Sequence, residues 1–347
     1  MKTTMLLLLL SGGSLAAGAE MTLKCEDLKP RHRTLKIIRM QPRLQDKVWL
    51  AGVPKTELTE TCDLYGMKTG EAQYSQKSLQ WKRRLVYKDR EATKLFCKEQ
   101  AAAEKHTPSF AEATSSSLND FCRKRKKSDF DAIFVYDETD KNDGADNPPF
   151  KHIFRIYNAS GFTGEEYFFD PASILETRKV YKYDSKNNLV ETTELATTEL
   201  GFAGNQVKRE TFSFDPVTAV RTHAVYGRTT ELTEKTVTEF REDSTLRRET
   251  RYTYDAGAQL VSKDEIYGSA NGLTQKELLY QGDLDKPAYE YHYSYVLDSK
   301  GNWTEEWKTK FIVFNGKALP DTQAAPEITK REITYWEQDK GTKAAGK

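Results

Sequence analysis

The amino-acid sequence predicts a mainly β protein: an antiparallel meander of hairpins forming a curved open sheet or partial barrel, preceded by a small disulfide-bonded α+β region. Three observations carry the prediction. A strand ending of the form aromatic–x–aromatic–Asp recurs, as Phe134-x-Tyr136-Asp137, Tyr167-x-Phe169-Asp170, Tyr181-x-Tyr183-Asp184, Phe212-x-Phe214-Asp215 and Tyr252-x-Tyr254-Asp255, with a stretched copy at Tyr293, Tyr295 and Asp298. Segments after Ile133 alternate ring-bearing or apolar residues with polar ones at period two. Apolar residues make up 37% of the 347 residues and charged ones 30%, which is lean for a thick core and suits strands with one wet face.

At the N-terminus, Lys2, the apolar run Met5 to Leu10 and the small–x–small triplet Ala17-Gly18-Ala19 have the layout of a cleaved export signal over residues 1–19. The run is shorter than the roughly 20 residues a membrane span needs. The expected location is therefore periplasmic or secreted. The 53 basic and 52 acidic residues nearly cancel, which argues against steering of the whole protein toward nucleic acid.

Residues 20–130 form the cysteine-containing region. An even number of cysteines in an exported chain predicts two disulfides among Cys25, Cys62, Cys97 and Cys122, with all three pairings open. Their wide spacing lacks the close cysteine pairs of zinc sites. Within Ser78 to His106 the triplet Ala101-Ala102-Ala103 favours helix, while Trp81 to Tyr87 also suits a strand. Ala111 to Asn119 reads as a loop. The run Arg123-Lys124-Arg125-Lys126-Lys127 is a candidate docking site for an anionic membrane surface or polyanion, against a solvated linker. The acidic stretch Asp137 to Asp146 misses the spacing of an EF-hand and reads as a hydrophilic loop.

From 131 to 340 the pattern is that of an antiparallel β repeat domain with roughly ten to fourteen strands. Asp184-Ser185-Lys186-Asn187-Asn188 and Asp298-Ser299-Lys300-Gly301-Asn302 are near-copies. An Asp opening each turn accepts hydrogen bonds from backbone N–H groups just ahead of it. Asn187 and Gly301, at equivalent places, tolerate a positive φ. Asp170-Pro171 and Asp215-Pro216 stop their strands by removing a ladder donor. The clearest alternation runs from Ala288 to Leu297, with Tyr289, Tyr291, Tyr293 and Tyr295 on one side and Glu290, His292 and Ser294 on the other.

The repeated ending resembles the YD repeat of RHS and teneurin-like proteins, whose unit runs roughly Tyr-x-Tyr-Asp-x-x-Gly-Arg-Leu. The matching residues are Tyr181, Tyr183, Asp184 and Leu189; Tyr252, Tyr254, Asp255, Gly257 and Leu260; and Tyr293, Tyr295, Gly301 and Trp303. The usual arginine is missing throughout and the glycine is often absent. The resemblance implies hairpins stacked into a curved sheet. The family's closed cargo shell needs longer arrays than these six copies and is not carried over.

The residues name no reaction. The five histidines are scattered, and no HExxH, nucleophile elbow or phosphate-binding glycine loop occurs. No cofactor is implied. Repetition of tyrosine and aspartate suits a structural ladder, since chemistry needs one site rather than six. The leading expectation is a binding or structural protein presenting a Tyr/Trp-rich face with Tyr289, Tyr291, Tyr293, Trp303 and Trp307 to a protein, peptide or glycan. The alternatives are a secreted hydrolase with carboxylates assembled in space, and a carrier of lipid or envelope components in a groove of the curled sheet.

Overall fold

The computed structural model describes residues 23–103, 118–124, 130–138, 149–198, 201–228 and 230–336. The expected signal, 1–19, lies outside them. The elements are β1 (His32–Gln45), β2 (Val48–Cys62), β3 (Lys68–Ser75), β4 (Ser78–Lys88), α1 (Arg90–Ala103), α2 (Leu118–Lys124), β5 (Phe130–Asp137), β6 (Lys151–Tyr157), β7 (Thr163–Phe169), β8 (Leu175–Tyr183), β9 (Leu189–Thr198), β10 (Gly201–Asp215), β11 (Val220–Tyr226), β12 (Leu232–Phe240), β13 (Leu246–Tyr254), β14 (Leu260–Gly268), β15 (Thr274–Gln281), β16 (Tyr289–Leu297), β17 (Trp303–Phe314), β18 (Lys317–Pro320) and β19 (Glu327–Tyr335).

Among the described residues all 19 strands belong to one antiparallel sheet, each paired with its neighbour in sequence up to β18. The sheet closes on itself. β19 pairs β17 on one edge and β1 on the other, and β18 hangs from β17 alone. The expected curved open sheet or partial barrel is therefore corrected to a closed barrel. Period two predicts strands and hairpins, but it carries no information about which distant strands meet at the end of the meander. The division near residue 130 does not divide the sheet either, because β1 to β4 lie in the same ring as the later strands. β5 to β19 also outnumber the strands expected after residue 131.

The turns follow the sequence closely. One carboxylate oxygen of Asp184 accepts from the N–H groups of Lys186 and Asn188, each at 2.8 Å, and Asp255 and Asp298 repeat the pattern at 2.9 Å. Asn187 and Gly301 have φ values of 63° and 84°. Each Asp thus fixes a left-handed residue and with it the register of the returning strand.

Residues paired across an antiparallel ladder share a face, so the register sorts every strand residue to one of two sides. Tyr181, Tyr293, Tyr295, Asp131, Asp264 and Glu306 fall on the same side, where ion pairs such as Arg155–Glu166 and Lys308–Glu277 are mostly enclosed, whereas Arg84–Glu138 and Lys330–Glu305 on the other side are more exposed. That side is the concave lumen. The outer side carries ion pairs along much of the ring: Lys36–Glu57 at 2.8 Å, Arg84–Glu138 at 2.9 Å, Arg178–Glu165 at 3.1 Å, Lys263–Glu265 at 3.4 Å and Lys330–Glu305 at 2.9 Å.

On β5 to β7 the outer side instead reads Phe130, Ala132, Phe134, Phe154, Tyr167 and Phe169, all buried. α1 and α2 cover this patch through Cys97, Leu118, Phe121 and Cys122. The Phe121 ring lies 4.9 Å from those of Phe154 and Tyr167. Fully burying each ring is worth roughly 1.5–3 kcal/mol, which is why the chain inserts helices between β4 and β5 and nowhere else among the described residues. The predicted cysteines form two disulfides, Cys25–Cys62 and Cys97–Cys122, and the second ties α1 to α2. No helix is long and apolar enough to cross a membrane among the described residues.

Candidate functional site

The four tyrosines of β16 form a ladder on the lumenal side, and each is backed by polar groups. The Lys310 ammonium sits 3.9 Å from the Tyr289 ring centre and that of Lys308 4.4 Å from Tyr291. The Tyr293 hydroxyl donates to Glu277 at 2.7 Å, and Lys308 meets the same carboxylate at 2.9 Å. Tyr293 and Tyr295 stack with ring centres 6.4 Å apart and planes 12° apart. Burial pushes both phenols far above the usual tyrosine range, helped by Glu277 and Glu306 respectively. These rings therefore stay protonated donors under ordinary conditions.

The structure brings together most of the aromatic face expected from sequence. Trp303 joins it at the rim, 6.1 Å from Tyr295, with the Arg331 guanidinium 3.4 Å from its ring centre. Trp307 does not join. It pairs with Ser294 while Tyr293 pairs with Lys308, so Trp307 points outward, where its indole N–H donates to Glu305 at 2.5 Å.

Beside this ladder the barrel wall opens. β16 pairs β15 only from Lys276–His292 to Leu279–Tyr289. β15 nevertheless stays paired to β14 as far as Thr274, and β16 to β17 as far as Leu297. Toward the rim, Thr274 and Gln275 thus face Tyr293 to Leu297 with no ladder between them. A cleft of about 500 Å³ fills the space, lined by Ser269, Asn271, Thr274, Gln275, Tyr293 and Tyr295 among others. Among the described residues no carboxylate or histidine lines it. At the other end of these strands Gly282 to Ala288, with Pro287, joins β15 to β16, and Asp283 accepts there from the Asp285 N–H at 2.8 Å. The ladder beside this connection is intact, so no turn residue marks the opening in the sequence.

A second polar cluster sits where the ring closes. His32 lies 3.0 Å from Glu60 and 3.1 Å from the Cys62 sulfur, and Lys68 lies 3.6 Å from Glu60. Burial works to raise Glu60, but His32, Lys68 and the Glu26 N–H together hold its carboxyl below the usual range. Cys25, His32, Glu60 and Cys62 are close enough to hold a metal. With both sulfurs in the disulfide, however, only two donors remain, short of the four of a structural zinc site. Elsewhere in the lumen, His223 stacks on Phe212 at 4.7 Å and meets Glu210 at 3.3 Å. Burial would raise Glu210, but His223 and Lys208 outweigh it and hold that carboxyl at about 2.

Of the basic run, Arg123 and Lys124 end α2, while Arg125, Lys126 and Lys127 lie outside the described residues. The same holds for the acidic loop beyond Glu138, whose own carboxylate pairs with Lys82 and Arg84 at 2.8 and 2.9 Å.

No family model matches the chain, and no curated protein matches it. Among solved structures it is similar to a porin-like protein from Bacteroides uniformis, at 11% identity over 87% of this chain and 97% of that one, with a TM-score of 0.39. A protein of unknown function from Bacteroides fragilis is 16% identical over 36% of this chain and 86% of its own, with a TM-score of 0.22. The complex TcdB2-TccC3-Cdc42 is 12% identical over 75% of this chain but only 15% of its own, also with a TM-score of 0.22. At such values none of these likenesses bears on function. The chain is a mainly antiparallel β protein with two disulfides, closed into a barrel by its own strand pairing.

Proposed function

We propose that this protein is an exported, water-soluble barrel with no reaction of its own, which binds an extended polypeptide segment in the opening between β15 and β16. One observation carries the reading: the ladder between these strands stops at Lys276–His292, leaving two backbone edges that face each other across a tyrosine-lined cleft. An extended guest can hydrogen-bond to such edges by strand addition, while Tyr293 and Tyr295 supply ring surface for its side chains. Water solubility follows from the outer wall. A transmembrane barrel needs an apolar band about 25 Å tall, and each lysine or arginine facing lipid near the midplane costs roughly 2–4 kcal/mol. Here charged pairs stand on the outer side of strand after strand.

Peptides selected on the folded chain from a random display library test this reading. They are expected to bind in the micromolar range, to lose most of their affinity when alternate backbone amides are N-methylated, and to bind Tyr295→Ala about tenfold more weakly. Selected peptides indifferent to both changes, or a library that yields none while glycans bind at Tyr293 and Tyr295, would contradict it.

A further inference from the structure

The rim opposite the β16–β17 turn carries two hairpins that outrun the barrel. β1 and β17 both run antiparallel to β19 and so leave the ring at the same rim. β19 reaches only to Met40 on one side and to Lys308 on the other, whereas β1–β2 pairing continues to Gln45–Val48 and β17–β18 pairing to Phe314–Lys317. Both end in two-residue turns with positive φ, Asp46-Lys47 at 51° and 65° and Asn315-Gly316 at 50° and 74°, which makes each tip tight and stiff. A Cβ on Gly52 would meet the Gln41 carbonyl at 2.4 Å, so the first hairpin bends at a bulge that only glycine permits.

Both tips carry exposed apolar side chains. Leu44 is 57% exposed, Val48 58%, Phe314 64% and Leu319 51%. Arg43, Lys47 and Lys317 stand among them, with Asp46 as the one acid at the first tip. Trp49 pairs with Leu44 across the first hairpin, and an indole there suits a membrane interface. A strand-like partner is disfavoured, because Pro42 and Pro320 interrupt the free edges of β1 and β18. What remains is apolar side-chain contact ringed by cations. We propose that this rim docks on an anionic lipid bilayer, with Leu44, Val48 and Phe314 entering the headgroup layer and Lys47 and Lys317 meeting lipid phosphates. The barrel wall stays in water, so the chain lies on the membrane rather than across it.

Co-sedimentation of the full chain with phosphatidylglycerol–phosphatidylcholine vesicles, compared with phosphatidylcholine alone, tests this. Binding is expected only to the anionic vesicles and to fall with salt. The paired change Lys47→Gln with Lys317→Gln is expected to weaken it by about fivefold per lysine. Leu44→Asp with Phe314→Asp should abolish it while leaving the circular dichroism of the strands unchanged. Equal binding by wild type and the Asp variant overturns the proposal. So does a wild type that ignores both vesicles yet sediments as a dimer that the Asp variant dissolves, since the tips would then meet a second copy.

Discussion

Arg331→Leu is expected to destabilise the folded chain by about 3–5 kcal/mol near pH 8, as breaking a buried ion pair from one side does. Arg331 is 4% exposed, and its Nη2 donates to Glu26 at 2.8 Å across 305 positions of sequence. This contact fixes the segment ahead of β1 onto the strand that closes the ring. Leucine keeps apolar bulk against Trp303 but strands the Glu26 carboxylate. Burial already raises the pKa of Glu26, and Arg331 is the largest influence opposing that rise. Without the arginine the folded-state pKa climbs further above its unfolded value. The penalty therefore grows as pH rises above the ordinary carboxylate range and shrinks on acidification, as Glu26 takes up a proton. Urea melts of wild type, Arg331→Leu and the double change with Glu26→Leu would show it. The double variant should recover most of the loss, because two apolar groups leave nothing unpaired. A single variant as stable as wild type at pH 8 would mean that the pair is solvated.

The second large effect concerns His152, which lies on the outer side of β6 under α1. Its ring packs 5.0 Å from Phe134 and 5.9 Å from Phe96, and its Nδ1 has no hydrogen-bond partner among the described residues. Desolvation lowers its pKa to about 4, against a small opposing pull from Asp170. An unfolded histidine titrates near 6.5, so between about pH 6.5 and 4 the unfolded chain binds a proton that the folded chain refuses. Folding stability must fall across that window as pH drops, by about 3 kcal/mol in total from this residue. His152→Phe removes the titration while keeping a ring of similar size. Its stability should match wild type or slightly exceed it at pH 7 and pull ahead steadily as the solution is acidified. Parallel stability curves for the two proteins from pH 7 to 4 would show that the imidazole reaches water.

The hairpin unit was legible in the sequence because its causes are local. Asp184, Asp255 and Asp298 each hold their own turn, and alternate residues of a strand face one way whatever lies beyond. The helix ending in Ala101-Ala102-Ala103 and the strand through Trp81 to Tyr87 are both present as α1 and β4. Closure was not legible, since it depends on β1 finding β19 across nearly the whole chain. For the same reason the Glu26–Arg331 pair and the group at His32, Glu60 and Lys68 had no signature. The tyrosine face was legible as far as its own strand, Tyr289 to Tyr295. It failed at Trp307, which faces outward by the regular register with Ser294, whereas the bulge between Val296 and Leu297 brings Trp303 to the tyrosine side. The cleft was not legible, because how far β15 and β16 stay paired is settled across the sheet and not by the residues of their own turn.

Closure of the ring is what separates a lumenal tyrosine ladder from an exposed one, and a cysteine pair across the seam tests it most directly. Lys36 and Glu332 are registered partners of β1 and β19, and their side chains meet on the outer wall at 3.8 Å. Lys36→Cys combined with Glu332→Cys should form an intramolecular disulfide under mild oxidation, identified as a cross-linked peptide by mass spectrometry, as readily as the within-hairpin control Glu239→Cys with Arg248→Cys. A control that links while the seam pair stays reduced would mean that β1 and β19 are the free edges of an open sheet.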